Sequence, residues 1–200
     1  MSRSFPHRRA ALITIITLTL VSFAVAGDWN GFRGTGAMGV RSSKTAPSQW
    51  APDKNIAWKT ALPGPGASSP ILVGKQIFLT CFSGYAVPGA PRGRASQLKR
   101  HVVCLQRASG KILWSNDIPP VLPESERIRE NHGYATSTPV VDGEILYVFF
   151  GKTGVFAFDL NGKKIWNANV GSKTSGWGSA ASPVIYKDLL IVNASVESES

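Results

Sequence analysis

Few residues in this chain have the types and spacing that a catalytic or metal site requires. Of the three histidines, His7 lies near the N-terminus, His101 begins an apolar run and His132 lies in a loop, so metal-ligand spacing is lacking. Serines are numerous, but no Gly-x-Ser-x-Gly elbow or evident catalytic triad accompanies them. The local motifs therefore indicate no catalytic residues and no metal site.

Two cysteines, Cys81 and Cys104, are the remaining candidates for covalent chemistry. They fall in the second and third strands of one predicted sheet, which pair directly, and an exported protein meets an oxidising compartment. A cross-strand disulfide would be consistent with this placement. The strict geometry of strand disulfides makes two buried free thiols an equal expectation, and the sequence leaves both open.

The elements that must position these residues are short β-strands. Between Thr138 and Trp166, four runs rich in Val, Ile, Phe and Tyr are separated by turn signals. Two of these turns, Asp142-Gly143 and Asn161-Gly162, are strong tight-hairpin dipeptides. Four antiparallel strands joined by such turns have the size of one β-propeller blade.

The same unit recurs along the chain. Runs between residues 69 and 114 repeat it in the same order, and residues 181–193 begin a third copy. The residues that keep the same place in the copies are Pro70, Pro139 and Pro183, and Trp58, Trp114 and Trp166. A period of roughly 45–50 residues is typical of propeller blades. We therefore predict an all-β fold, a β-propeller of four-stranded antiparallel blades present as an incomplete N-terminal arc.

The N-terminal residues 1–26 have the features of a signal peptide. Arg3, Arg8 and Arg9 precede an apolar run over residues 10–25, and Ala24-Val-Ala26 is a small-x-small cleavage site. We expect an exported chain, periplasmic or extracellular, without a membrane span after cleavage. An uncleaved anchor is the minor alternative.

The rest of the chain divides into an extension at 27–57 and a partial propeller at 58–200. Within the propeller we expect a closing strand at 55–60, which begins in the extension, and then three copies of the unit. The copies are a blade at 68–118, a blade at 137–170 and the start of a blade at 181–200. Because the third copy stops early, we expect a piece of a longer chain of roughly 350–450 residues with six to eight blades.

Composition agrees with an exported globular protein. The formal net charge is +10 and 43% of the residues are hydrophobic. The positive charge is scattered along the chain and is not interleaved with aromatic residues on one face. A nucleic-acid partner is therefore not expected.

The repeats also resemble a known family. Cys104-Leu-Gln-Arg-Ala-Ser-Gly-Lys-Ile-Leu-Trp114 and Ala157-Phe-Asp-Leu-Asn-Gly-Lys-Lys-Ile-Trp166 are similar to the tryptophan-docking repeat of quinoprotein-type propellers, although Gln106 replaces an aspartate. With Trp29-x-x-Phe-Arg-Gly34, the chain resembles the pyrroloquinoline-quinone-like (PQQ-like) repeat family, which includes outer-membrane protein assembly factor B. The resemblance implies that each outer-strand tryptophan packs between blades.

The resemblance implies two functions. One is a non-catalytic binding or scaffold propeller for a protein or polymer partner, with no cofactor. The alternative is a dehydrogenase holding pyrroloquinoline quinone and calcium in its channel, where family members typically use two adjacent cysteines that this chain lacks. Fold alone does not decide between the two functions.

The long loops are expected to carry the binding function. Segments 83–100 and 116–135 should emerge on one side of the blades, and long loops on a rigid scaffold are where binding usually resides. The candidate contacts on this face are His132, Tyr134, Trp177, Arg92 and Arg94. The first segment also has Lys99 and Arg100, and the second has Glu124, Glu126 and Glu130. Pairing between these segments at a wet surface, with little energetic effect, is the simpler alternative.

Overall fold

The computed structural model describes residues 27–40, 47–124, 133–172 and 178–194. Ten strands and three short 3₁₀ helices form its regular structure. The strands are β1 (Ile71–Val73), β2 (Gln76–Ser83), β3 (Lys99–Gln106), β4 (Ile112–Ile118), β5 (Val140–Asp142), β6 (Ile145–Phe149), β7 (Val155–Asp159), β8 (Lys164–Ala168), β9 (Val184–Tyr186) and β10 (Leu189–Ile191). The 3₁₀ helices are Thr35–Ala37, Ala95–Gln97 and Gly151–Thr153.

The strands form two four-stranded antiparallel sheets and one hairpin. β1 to β4 pair in chain order as a first blade, β5 to β8 as a second blade, and β9 with β10. Pro70, Pro139 and Pro183 each directly precede a first strand, where a missing N–H is tolerated. The predicted all-β fold and partial propeller arc are confirmed.

Both blades have the same irregularity beside the same tryptophan. The β3–β4 register shifts between Cys104 and Leu105, next to the Cys104–Trp114 pair. The β7–β8 register shifts one residue after the Ala157–Trp166 pair. A bulge re-aims the side chains beside it, so the repeat preserves the direction of the tryptophan as well as its position.

The tryptophans dock one segment onto the next. Trp114 Nε1 donates to the carbonyl oxygen of Leu160 at 3.0 Å, and its ring lies over Gly162. Trp58 makes the equivalent contacts with the β3–β4 turn, where its ring lies over Gly110. A Cβ on Gly162 would stand 2.7 Å from the ring, and both glycines have positive φ. Glycine is therefore needed for close approach as well as for the turn.

Residues 55–60 make no strand pairing within the described part of the chain, so the closing strand stays a prediction. Trp58 anchors this segment on the first blade. Thr60 Oγ1 adds a hydrogen bond of 2.7 Å to the carbonyl oxygen of Gly110. The segment thus docks through side chains rather than through a strand ladder.

The N-terminal extension pairs with the inner strands of both blades. Trp29 exchanges backbone hydrogen bonds of 2.8 and 2.9 Å with Leu72 on β1. Asn30 then accepts one of 2.8 Å from the N–H of Val141 on β5. Consecutive residues of one segment therefore occupy the free inner edges of two neighbouring blades, which links them at the propeller centre.

Hydroxyl groups link the blades just before their inner strands. The N–H of Ser69 donates to Thr138 Oγ1 at 3.0 Å, and the N–H of Thr138 donates to Ser182 Oγ at 2.9 Å. These three residues hold the same place in the three copies. Thr138 and Ser182 each satisfy a backbone donor of the preceding copy, so these backbone N–H groups are paired where the copies meet.

The expected signal peptide, 1–26, and the end of the third copy, 195–200, lie outside the described residues. Within the part of the chain that is described, no helix has the length and apolar character needed to cross a membrane.

Candidate functional site

The connections on one side of the blades pack together as a surface that we call the loop face. It comprises the described residues 84–98, 119–124, 133–139 and 150–154. The rings of Tyr85 and Tyr134, from two of these connections, lie 5.7 Å apart between centroids. Lys152 Nζ donates a hydrogen bond to the carbonyl oxygen of Pro123 in the neighbouring connection. The structure thus brings together the two long segments named from the sequence.

The connection between β2 and β3 is closed by hydrogen bonds within the loop. The N–H of Ala86 donates to the carbonyl oxygen of Arg92 at 2.8 Å, across the base of its turn. The N–H of Arg94 donates to Gln97 Oε1 at 2.8 Å at the start of the short 3₁₀ helix. The guanidinium of Arg92 lies 5.7 Å from the centroid of the Tyr85 ring and hydrogen-bonds the Tyr85 hydroxyl. This arginine is therefore held in place although it is exposed.

Beneath the loop face lies a buried ion pair. Arg100 Nη2 and Glu124 Oε1 are 2.9 Å apart, and their side chains are only 4% and 2% exposed. Arg100 Nε also donates to the carbonyl oxygen of Tyr134 at 3.2 Å. Burial lowers the pKa of Arg100, while the Glu124 carboxylate acts in the opposite direction. The arginine of one segment and the glutamate of the other do meet, but in the interior rather than at the expected wet surface.

A small cavity adjoins the ion pair. It measures about 20 Å³, room for a single water, and Arg100, Glu124 and Ser179 are among the residues that line it. Arg100 Nη1 is buried and has no acceptor among the described residues. A buried N–H of this kind is costly unless water or another acceptor satisfies it.

Tyr134, predicted as a contact residue, instead supports the surface from below. Its side chain is buried, and its ring packs edge-on against Phe82 at 5.6 Å and beneath the Arg100 guanidinium at 5.6 Å. Burial raises the pKa of Tyr134 well above its usual value. Tyr134 therefore belongs to the packed layer beneath the loop face.

The other predicted contacts divide into two groups. Arg92 and Arg94 lie exposed on the rim of the loop face. His132 and Trp177 lie outside the described residues, as do Glu126 and Glu130.

The structure also shows a group of side chains that sequence reasoning missed. Ser83, His101 and Asp117, at the ends of β2, β3 and β4, form a hydrogen-bonded row beside the loop face. Sequence motifs did not indicate this row. Its members are far apart in the sequence, and only the pairing register puts His101 opposite Asp117. A search for polar residues on matching faces of consecutive strand ends would have found them.

The two cysteines are free thiols, which settles one open alternative. Cys81 packs with the Ile77 and Val103 cluster, while Cys104 packs with Phe78 in the other cluster. Successive strand residues point to opposite faces, and the two thiols lie on opposite faces of one sheet. Burial raises the pKa of each thiol to about 11.

The dehydrogenase alternative requires a quinone and calcium site in the channel. On the described blades, the edges of β1 and β5 away from β2 and β6 are paired with Trp29 and Asn30. Within the described ranges, no three His, Cys, Asp or Glu side chains are grouped as metal ligands. We therefore assign no step to this cofactor.

Comparison with known families places these features in context. Residues 35–194 match the PQQ-like repeat family described as outer membrane protein assembly factor BamB. The chain belongs to this family. The match spans both blades and the β9–β10 hairpin but excludes Trp29 and Asn30, which pair with the inner strands. No curated protein matches the chain. Family membership confirms the resemblance and identifies a propeller-type module of PQQ-like repeats.

Proposed function

We propose that this PQQ-like repeat chain is an exported binding module whose loop face takes an acidic protein or polymer partner. The supporting observation is the charge of the exposed rim. Arg92 and Arg94 lie exposed on a connection, residues 84–98, that contains no acidic residue. Glu124 on the neighbouring connection is already paired with buried Arg100.

The rigidity of the rim favours binding. Arg92 rests on the Tyr85 ring, which in turn packs beside Tyr134. An arginine held in one place loses less conformational freedom when it pairs with a carboxylate. Its planar group also supports two parallel hydrogen bonds to that carboxylate. At the opposite end, the described connections within each blade are short turns, such as Asp142-Gly143 and Asn161-Gly162.

Export is part of the proposal. It rests on the arginine-flanked apolar run and on the Ala24-Val-Ala26 sequence, with family membership as further support. N-terminal sequencing of the mature protein should find cleavage after Ala26. A cytoplasmic product that retains Met1 would refute export without bearing on the loop face.

A charge-reversal experiment tests the binding face. A photo-reactive residue in place of Ser96, on the same connection, should cross-link a partner in the compartment that receives the protein. Arg92→Glu with Arg94→Glu should reduce this cross-linking at least tenfold, because two attractive contacts become repulsive. Lys163→Glu with Lys164→Glu makes the same charge change at the exposed turn on the opposite end. Equal loss in both variants, or no loss in the first, would refute recognition by the loop face.

A further inference from the structure

Ser83, His101 and Asp117 form a directed hydrogen-bond relay across three neighbouring strands. Ser83 Oγ lies 2.8 Å from His101 Nε2, and His101 Nδ1 lies 2.7 Å from Asp117 Oδ1. Strand pairing fixes this geometry, because His101 is directly opposite Asp117 and Ser83 ends the adjacent strand β2. The relay does not depend on the conformation of a loop.

The chemistry of the end groups assigns the proton positions. An ionised carboxylate only accepts hydrogen bonds, so Nδ1 of His101 must carry its proton toward Asp117. In the neutral ring, Nε2 then presents its lone pair to the Ser83 hydroxyl. Partial burial acts to raise the pKa of Asp117, but hydrogen bonds from Lys99 and His101 outweigh it and hold that pKa below its usual value. The carboxylate therefore stays charged at neutral pH.

The three residues of the relay also differ in burial. His101 is buried, which holds its ring in one orientation, while Ser83 is only half-buried and Asp117 is exposed. This order of a half-buried hydroxyl, a buried imidazole and an orienting carboxylate is how serine nucleophiles are activated.

We propose that Ser83 is a nucleophile that accepts an acyl group from small carboxylic esters, with His101 as general base and Asp117 as positioning residue. This goes beyond the binding function and does not depend on it. Ser83 Oγ bonds to the ester carbon as its proton passes to His101 Nε2. The alcohol leaves with that proton. Water then bonds to the acyl carbon as His101 Nε2 takes one of its protons, and the acid is released as Ser83 Oγ leaves and takes that proton back. Each missing oxyanion donor costs about 10²–10³ in kcat, so activated esters should react and amides should not.

Covalent labelling of the mature protein tests the proposal. A fluorophosphonate probe should add once per chain, and peptide mapping should place it on Ser83. Ser83→Ala should abolish labelling. His101→Gln should slow it at least 10²-fold, as expected for loss of a general base. Ser115→Ala is the matched control, because Ser115 is an exposed serine on β4 outside the relay and its loss should change nothing.

The test of Asp117 needs a measurement that would not change if Asp117 had only a structural role. Asp117→Asn should slow labelling at least tenfold while the melting temperature changes little, and Asp117→Glu should restore part of the rate. If His101→Gln does not fold, labelling of the native protein against the urea-unfolded protein replaces it, since only the relay activates the hydroxyl. A folded protein that stays unlabelled would overturn the proposal. Labelling of Ser83 at the same rate in the unfolded chain or in Asp117→Asn would overturn it as well.

Discussion

The two blades share their joints but differ at their strand ends. Trp114 and Trp166 lie at the same place beside a bulge. Their ring centroids lie 5.9 Å from those of Phe78 and Tyr147 respectively.

The relay positions are not shared. The paired strands of the second blade end earlier, at Phe149, Val155 and Ala168, and its chain turns back at the 3₁₀ helix Gly151–Thr153. Residues that repeat hold the arc together, and residues that do not repeat give each blade its own chemistry.

A second difference concerns burial of the outer strands. Trp114 is covered by the β7–β8 turn of the second blade, whereas Trp166 is 39% exposed. All five residues of β8 are exposed, but β4 keeps residues that are half-buried or buried. The docking contact, rather than the strand sequence, therefore produces the burial of the tryptophan.

Replacing each tryptophan in turn should show the largest difference in stability between the two blades. Trp114→Ala removes a packed indole and its hydrogen bond to Leu160, and should lower the free energy of unfolding by about 3–5 kcal/mol. In the 200-residue chain, Trp166→Ala should cost about 1–2 kcal/mol, because there its ring is already partly in water. Urea denaturation with matched m-values gives both numbers. Equal losses would contradict the comparison and would show that Trp166 is docked too.

The buried ion pair tests the first blade alone, since the second blade has the 3₁₀ turn Gly151–Thr153 where the first blade extends β2 and β3. Glu124→Gln leaves a buried guanidinium without its counter-charge and should cost about 3–5 kcal/mol. Lys99→Gln is the control, because it breaks the exposed pair with Asp117 at 3.1 Å and should cost about 1 kcal/mol or less. Similar melting temperatures for the two variants would mean that the Arg100 pair is solvated.

Much of the fold could be predicted because its determinants are local. Hairpin dipeptides such as Asp142-Gly143 and Asn161-Gly162 act within a few residues. The tryptophans recur at the same place in each copy and so mark the repeat. The closing strand at 55–60 could not be judged this way. Its extended sequence is compatible with strand pairing, but pairing depends on a neighbouring edge, and Trp58 docks the segment by its side chain.

The site was harder to predict because it depends on register. The charges of segments 83–100 and 116–135 indicated pairing, but burial of the Arg100–Glu124 pair depends on how the connections pack. The relay depends on two strand registers at once, since a slip of one residue would move His101 to the other face. Only the three-dimensional structure fixes such registers.

The thiols give the smallest expected effect and again concern the first blade, because Phe150 and Ala157 stand where it has Cys81 and Cys104. Both thiols should resist a disulfide reagent at pH 8 in the native protein and react on unfolding.

Each native thiol keeps its proton up to a pKa of about 11, while the ordinary value is 9.0. The native state thus binds more protons within this window, so the free energy of unfolding should fall as pH rises from about 9 to 11. This decrease with pH should be smaller in Cys104→Ala, which introduces the alanine that the second blade has at this place. The substitution itself should cost about 1 kcal/mol. Rapid labelling of the folded protein at pH 8 would contradict burial of the thiols, and an unchanged fall in the variant would assign it to other groups.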